Sequence, residues 1–205
     1  MLSTGPDVGA PVRPGVGGVA LVAGSIMLSV VLMAATLGVR ADLAQAITWP
    51  AVWIKTAFVV ALALVGWRST VSLSMPGART GSLPFLIVTP LVLMWSLGTV
   101  TLLNAAPDAR AELFWGHTWR YCPALIAMLS LPIFGATLRV MRRMAPTRLR
   151  LAGAAAGFAA GSAAAVVYSV HCPEIAASFV GFWYVLGILV PTALGALIGR
   201  KVLAW

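Results

Sequence analysis

The chain has 205 residues, 60% of them hydrophobic and only 9% charged. Ordinary soluble domains carry about 25% charged residues, so a soluble fold of this length could not cover its surface, and the excess apolar area must face lipid. The net charge of +9 suggests nucleic acid at first sight, but the basic residues lie between apolar runs rather than in one patch. There they set membrane orientation, and no direct nucleic-acid partner is expected.

Residues 1–18, MLSTGPDVGAPVRPGVGG, are rich in Gly and Pro and predict a short cytosolic tail without a long helix. The first apolar run covers 19–39. It exceeds the roughly 7–15 residues of a signal-peptide core, so it reads as an anchor. Ala44-Gln45-Ala46 has a faint look of a cleavage site, but cleavage would leave five spans and spoil the charge alternation below. Further runs cover 51–67, 83–103 with Pro90 as a kink, 123–140 with Pro123 in the first turn, 151–170 and 179–198. Each is close to the ~20 residues that cross hydrocarbon at ~1.5 Å per residue. Backbone groups in lipid must pair within their own segment, which continuous helices do. The expected fold class is an all-α membrane protein. A bundle of six transmembrane helices fills 19–199, and 200–205 form a C-terminal tail.

Orientation follows from the connections. Arg13, then Arg68 and Arg79, then Arg142, Arg143, Arg148 and Arg150, then Arg200 and Lys201 fall in alternate loops. The intervening loops hold Arg40 with Asp42, then Arg110 and Arg120 with Asp108 and Glu112, then Glu174 with no Lys or Arg. Positive charge stays inside, so the first set is cytosolic and both termini are cytosolic. Gly153, Gly157 and Gly161 recur every fourth residue in the fifth span, and Gly195 and Gly199 do so in the sixth. Such stripes let helix backbones approach closely.

Residues capable of chemistry gather on the outer side. Asn104–Cys122 ends in LFWGHTWRYC, and its Phe114, Trp115, Trp119 and Tyr121 predict a short helix anchored in the interface. Cys122 then enters the fourth span, and Cys172 sits in the outer turn Val170–Glu174. Both thiols share one membrane depth with His117, His171 and Glu174. Three readings stand side by side: a Cys122–Cys172 disulfide, a metal site drawing on Cys122, Cys172 and His171, or two small apolar residues at helix ends. Lys55 is the one charge within a span. It is expected to snorkel to the interface past Trp49 and Trp53, the alternative being a pair with Asp42 or Glu174. On the cytosolic side Arg139, Arg142, Arg143, Arg148 and Arg150 form a basic connection suited to lipid headgroups or to an acidic protein.

The stretches LFWGHTWRYCPALIAMLSLPIF, MRRMAPTRLRLAGAAAG and YSVHCPEIAASFVGFWYVLGILVPTALGALIG resemble the NrsF family, six-helix inner-membrane anti-sigma factors of bacteria. The likeness runs from about residue 17 and is strongest from Leu113 onward. It implies a regulator without catalysis or a resident cofactor, with transient heavy-metal binding as the only metal chemistry. It also implies a multi-pass inner-membrane location, an extracytoplasmic-function sigma factor as partner, and release of that partner under metal or oxidative stress. The family's paired outer cysteines correspond to Cys122 and Cys172, each followed by Pro. One departure is the N-terminus, where members carry a polar helical segment and this chain has Pro6, Pro11 and Pro14; the inner loops then carry more of the binding, or the start lies elsewhere. From the residues alone, a small permease or metal exporter using Lys55 is the alternative. A thiol oxidoreductase is disfavoured by the absence of a CxxC pair.

Overall fold

The computed structural model describes residues 15–75 and 81–204. Most of the expected N-terminal tail, together with Arg13, Arg79 and Trp205, lies outside the described residues. Within them the chain is helical without strands, and six helices are long and apolar enough to cross a membrane.

These six are α1 (Val16–Thr36), α3 (Pro50–Leu73), α4 (Leu83–Asn104), α6 (Cys122–Arg142), α7 (Leu149–Ser169) and α8 (Ala177–Val202). Two short helices, α2 (Leu43–Ala46) and α5 (Ala109–Trp115), lie in connections. Several ends differ from the sequence expectation. α1 begins at Val16, so Gly17 and Gly18 are helical rather than part of a tail, with the Gly18 and Val19 amides both bonded to the Gly15 carbonyl. α3 continues to Leu73, placing Arg68 inside a helix. α8 runs to Val202 and Leu203 is fully buried, so Arg200 and Lys201 form a last helical turn instead of a free tail. α4 continues unbroken through Pro90.

α7 is the centre of the bundle. Most of it is buried, and it packs on α8, α3 and α6. The small residues make this possible. A Cβ on Gly153 would overlap the Gly195 carbonyl, one on Gly195 would overlap the Gly153 carbonyl, and one on Gly157 would overlap the Pro191 carbonyl. The two backbones are therefore in direct contact, as the glycine spacing predicts. On the other flank Gly66 of α3 faces the Ala159 backbone, and the Thr70 hydroxyl donates to the Ala155 carbonyl at 3.0 Å. α1 is fixed to α6 by the Ser29 hydroxyl on the Leu129 carbonyl at 2.9 Å. α4 packs on α3 and, toward the thiol end, on α8, where Gly98 lies against Ser178 and the Trp95 indole donates to the Gly181 carbonyl at 2.7 Å. Gly181 belongs to a π-helical turn, Val180–Tyr184, in which the wider ring leaves carbonyls free for outside donors.

The antiparallel course of α6 and α7 separates two ends. Cys122 and Cys172 are at one end, hereafter the thiol end, and the connection from Arg139 to Arg150 is at the other, the arginine end.

Substituting Gly157→Ala should destabilise the bundle by about 1–3 kcal/mol through overpacking. Gly135→Ala, where a Cβ meets nothing within 4 Å, should be neutral or stabilising. Thermal unfolding in detergent compares the two, and equal melting temperatures would show that the seam tolerates a methyl group.

Candidate functional site

The turn Val170–Glu174 joins α7 to α8 and is held from every side. Its start is closed locally, with the His171 and Cys172 amides both donating to the Tyr168 carbonyl at 3.0 Å. From the connection after α1, the Arg40 amide reaches the Val170 carbonyl at 3.4 Å, and the His171 ring (Nδ1) is bonded to the Gly38 carbonyl at 2.9 Å. Arg40 grips Asp42 bidentately, both contacts 2.7 Å. That guanidinium holds the Asp42 carboxyl below its usual range, chiefly through the hydrogen bond. The pair's contribution is therefore full above the ordinary aspartate pKa of ~4 and fades only as pH falls through the lowered value.

Lys55 supplies the strongest tie. It does not snorkel: the residue is 1% exposed, and its ammonium donates to the main-chain carbonyls of Cys172 at 2.7 Å and Glu174 at 3.0 Å. It also lies 5.5 Å from the centroid of the Tyr184 ring. A lysine can stay in such a setting because carbonyl dipoles and an aromatic face replace its water shell. The alternative expectation of a carboxylate partner also fails in detail. Asp42 is engaged by Arg40, and Lys55 meets the carbonyl of Glu174 rather than its side chain. The Glu174 carboxylate instead accepts from the His117 amide at 2.8 Å. Gly116, at φ +54°, makes room for it, since a Cβ there would sit 2.8 Å from the carboxylate carbon.

The sulfurs occupy the floor beneath this turn. Cys122 and Cys172 are both fully buried free thiols. Thr118 touches both residues: its carbonyl accepts from the Cys122 amide at 2.9 Å and its hydroxyl lies 3.8 Å from the Cys172 sulfur. The Tyr168 hydroxyl is beside both sulfurs. The Tyr184 hydroxyl is buried in the same region without a hydrogen-bond partner among the described residues. Of the residues singled out by sequence, the structure thus unites Cys122, Cys172, Glu174 and Lys55, with His171 at the edge. It leaves the His117 side chain outside; that ring is exposed and 3.6 Å from Glu112. Among the described residues, no three His, Cys, Asp or Glu side chains converge as a metal would require, so the set Cys122, Cys172 and His171 is not gathered. Sequence reasoning missed Tyr168, Tyr184 and Thr118. The available signal was that Tyr168 precedes Cys172 by one helical turn.

The aromatic segment also does more than anchor. Phe114, Trp115 and Trp119 stack with Phe182 and Trp183 of α8 at centroid distances of 5.2–6.2 Å. The Trp183 indole donates to the Phe114 carbonyl at 3.0 Å, and the Ser178 hydroxyl donates to the Leu113 carbonyl at 2.7 Å. Tyr121 remains exposed.

At the arginine end, Arg139, Arg142, Arg143, Arg148 and Arg150 are all exposed, while Met144 and Pro146 of the same connection are buried. None of the five pairs with a carboxylate among the described residues. The basic loop is thus rooted by apolar side chains and leaves its guanidinium groups available.

The class these features define is a helical bundle of membrane-spanning length with two buried thiols at one end and a free cationic surface at the other. The chain belongs to the family described as NrsF, negative regulator of sigma F, which matches residues 3–205. It is 51% identical over 174 residues to "Probable anti-sigma-F factor NrsF" of Azospira oryzae, covering 85% of this chain and 82% of that one. It is also 35% identical over 193 residues to "Anti-sigma-F factor NrsF" of Caulobacter vibrioides, covering 93% and 86%. These relatives are named as regulators rather than enzymes. No solved structure matches the chain.

Lys55→Met should leave two turn carbonyls without donors, each unsatisfied group costing about 1–3 kcal/mol. Labelling of Cys172 by a thiol reagent should then accelerate about tenfold or more, in line with a loss of ~1.4 kcal/mol or greater in local stability. An unchanged rate would show that the remaining contacts alone hold the turn.

Proposed function

We propose that this protein is an inner-membrane anti-sigma factor. It sequesters an extracytoplasmic-function sigma factor and releases it when metal or oxidative stress reaches Cys122 and Cys172. The observation that carries the reading is the likeness over most of the chain to relatives named anti-sigma-F factors. Six helices of spanning length support placement in the membrane, and the alternation of arginine with apolar segments supports cytosolic termini. In that orientation the thiol end faces the periplasm and the arginine end faces the cell interior. A sigma factor with an acidic face would meet Arg139, Arg142, Arg143, Arg148 and Arg150 there.

The sensor is the thiol pair beneath the clasped turn. Oxidation would join the two sulfurs with loss of two protons and two electrons to the oxidant. A thiophilic heavy metal would instead bridge them transiently, needing no third ligand. Either event alters the packing around Tyr168 and Thr118, and so the turn that Lys55 holds. Lys55 was the candidate for a polar transport path. Its engagement by two carbonyls weighs against the permease alternative.

Co-expression and purification from membranes should recover the sigma factor with the wild-type chain. A chain with Arg142, Arg143, Arg148 and Arg150 changed to Glu should lose it while staying in the membrane; retention by that variant would move the docking surface elsewhere. Cys122→Ser and Cys172→Ser should blunt the induction of target-promoter output by cadmium or peroxide, read with a promoter fusion. Wild-type output from both variants in both conditions would remove the thiols from the mechanism.

A further inference from the structure

A groove of about 390 Å³ opens on the side of the bundle between α3, α4, α7 and α8. Its origin lies in how α4 is attached. Gly98 and Trp95 pin that helix to α8 at the thiol end and it also packs on α3, while a cleft stays open between its other half and α7. The groove walls are apolar, including Leu62, Leu73, Leu83, Leu91, Leu151 and Phe158. The only hydroxyls in them are committed to their own helices, Ser69 donating to Val65 and Thr192 to Ile188, each at 2.7 Å. Whatever fills the groove is therefore hydrocarbon.

Dimensions select the kind of hydrocarbon. An α-helix about 10 Å across displaces about 400 Å³ in a single turn, so the groove cannot take a spanning helix of a second protein. A thin flexible chain fits. Along α3 the lining runs from Leu62 to Leu73, about 16 Å at 1.5 Å per residue, close to half of the ~30 Å hydrocarbon thickness. The groove thus spans one leaflet, and it is the leaflet at the arginine end.

Charge selects the headgroup. Arg148, the N-cap of α7, precedes Leu151 by three residues on the face that carries Leu151, Ala155 and Phe158. On α8, Arg200 extends the stripe through Leu189. It lies level with Arg148, because Gly199 abuts the Leu149 carbonyl. Both arginines are exposed and without a carboxylate partner among the described residues. Two planar guanidinium groups at the mouth of a hydrocarbon slot match the phosphate of a lipid whose chain enters it.

We propose that this groove is a binding site for one anionic phospholipid, with an acyl chain between α4 and α7 and the headgroup held by Arg148 and Arg200. The site rests on the membrane placement above but not on sigma-factor binding, so loss of sigma-factor capture would leave it standing.

The test uses the full chain in phosphatidylcholine vesicles containing a little phosphatidylglycerol with a photoreactive diazirine on its acyl chain. Labelling should concentrate on peptides containing Leu83–Leu91 and Leu151–Phe158. Unlabelled phosphatidylglycerol should compete, whereas phosphatidylcholine and inorganic phosphate should not. Arg148→Gln with Arg200→Gln should keep the label in the groove while the preference for phosphatidylglycerol over phosphatidylcholine falls about fivefold per arginine. Even labelling of every lipid-facing helix, α1 included, would overturn the site. Equal competition by phosphatidylcholine, or an undiminished preference in the double variant, would overturn its anionic specificity.

Discussion

Direct backbone contact between α7 and α8 is the constraint on which the rest of the molecule depends. With glycine at 153, 157, 195 and 199, carbonyls of each helix lie where side chains would otherwise stand. In the proposed membrane placement no hydrophobic drive would bring helices together, and close packing of this kind would supply the association. It also makes the pair a rigid unit, because interlocked carbonyls resist sliding by a fraction of a turn. The remaining helices are added with fewer, more specific ties: Thr70 holds α3 to α7, Ser29 holds α1 to α6, and Trp95 and Gly98 hold α4 to α8.

The turn between the paired helices inherits their rigidity and collects what the other connections offer. Gly38 and Arg40 arrive from the first connection, Lys55 from α3, and His117 and Thr118 from the segment before α6. A short turn cannot satisfy its own carbonyls, and those of Cys172 and Glu174 accept from the Lys55 ammonium instead. The lysine is thus the complement of the turn's unpaired acceptors. The sulfurs under it are shielded for the same reason, since each contact above Cys172 also excludes solvent.

The six helices were legible in the sequence because apolar length alone decides them, and the glycine seam was legible because small residues at a spacing of four have few other uses in lipid. The destination of Lys55 was not. Snorkelling is the common outcome for a lysine near a helix end, and only the three-dimensional position of residues 172 and 174 makes an inward path favourable. His117 erred in the other direction. Sequence proximity to Cys122 suggested a ligand, yet Gly116 at positive φ presents the backbone amide of residue 117 to Glu174, and the ring points away. The end of α3 was misjudged because Arg68 looked like a loop residue. An exposed arginine in the last turns of a helix need not interrupt the backbone pattern, and in the proposed membrane placement it would meet headgroups.

If the thiols sense and the arginines dock, the signal must cross about 30 Å, the length of α6. α6 is well suited to carry it. Cys122 is its first residue, Arg139 and Arg142 occupy its last turn, and its contacts with α7 and α8 are made largely by side chains, with Gly187 of α8 close to the Pro123 backbone but no carbonyl driven into a glycine as in the α7–α8 seam. A change in the thiol pair therefore has two mechanical options. It can deform the α7–α8 seam, where any axial shift drives carbonyl into glycine, or it can shift α6 against that seam, where side chains can repack. The second path is far softer, and it ends at the arginines themselves. Two elements of different stiffness, meeting around Cys122 and Cys172, are what such a relay would require: a fixed frame and one helix free to move against it.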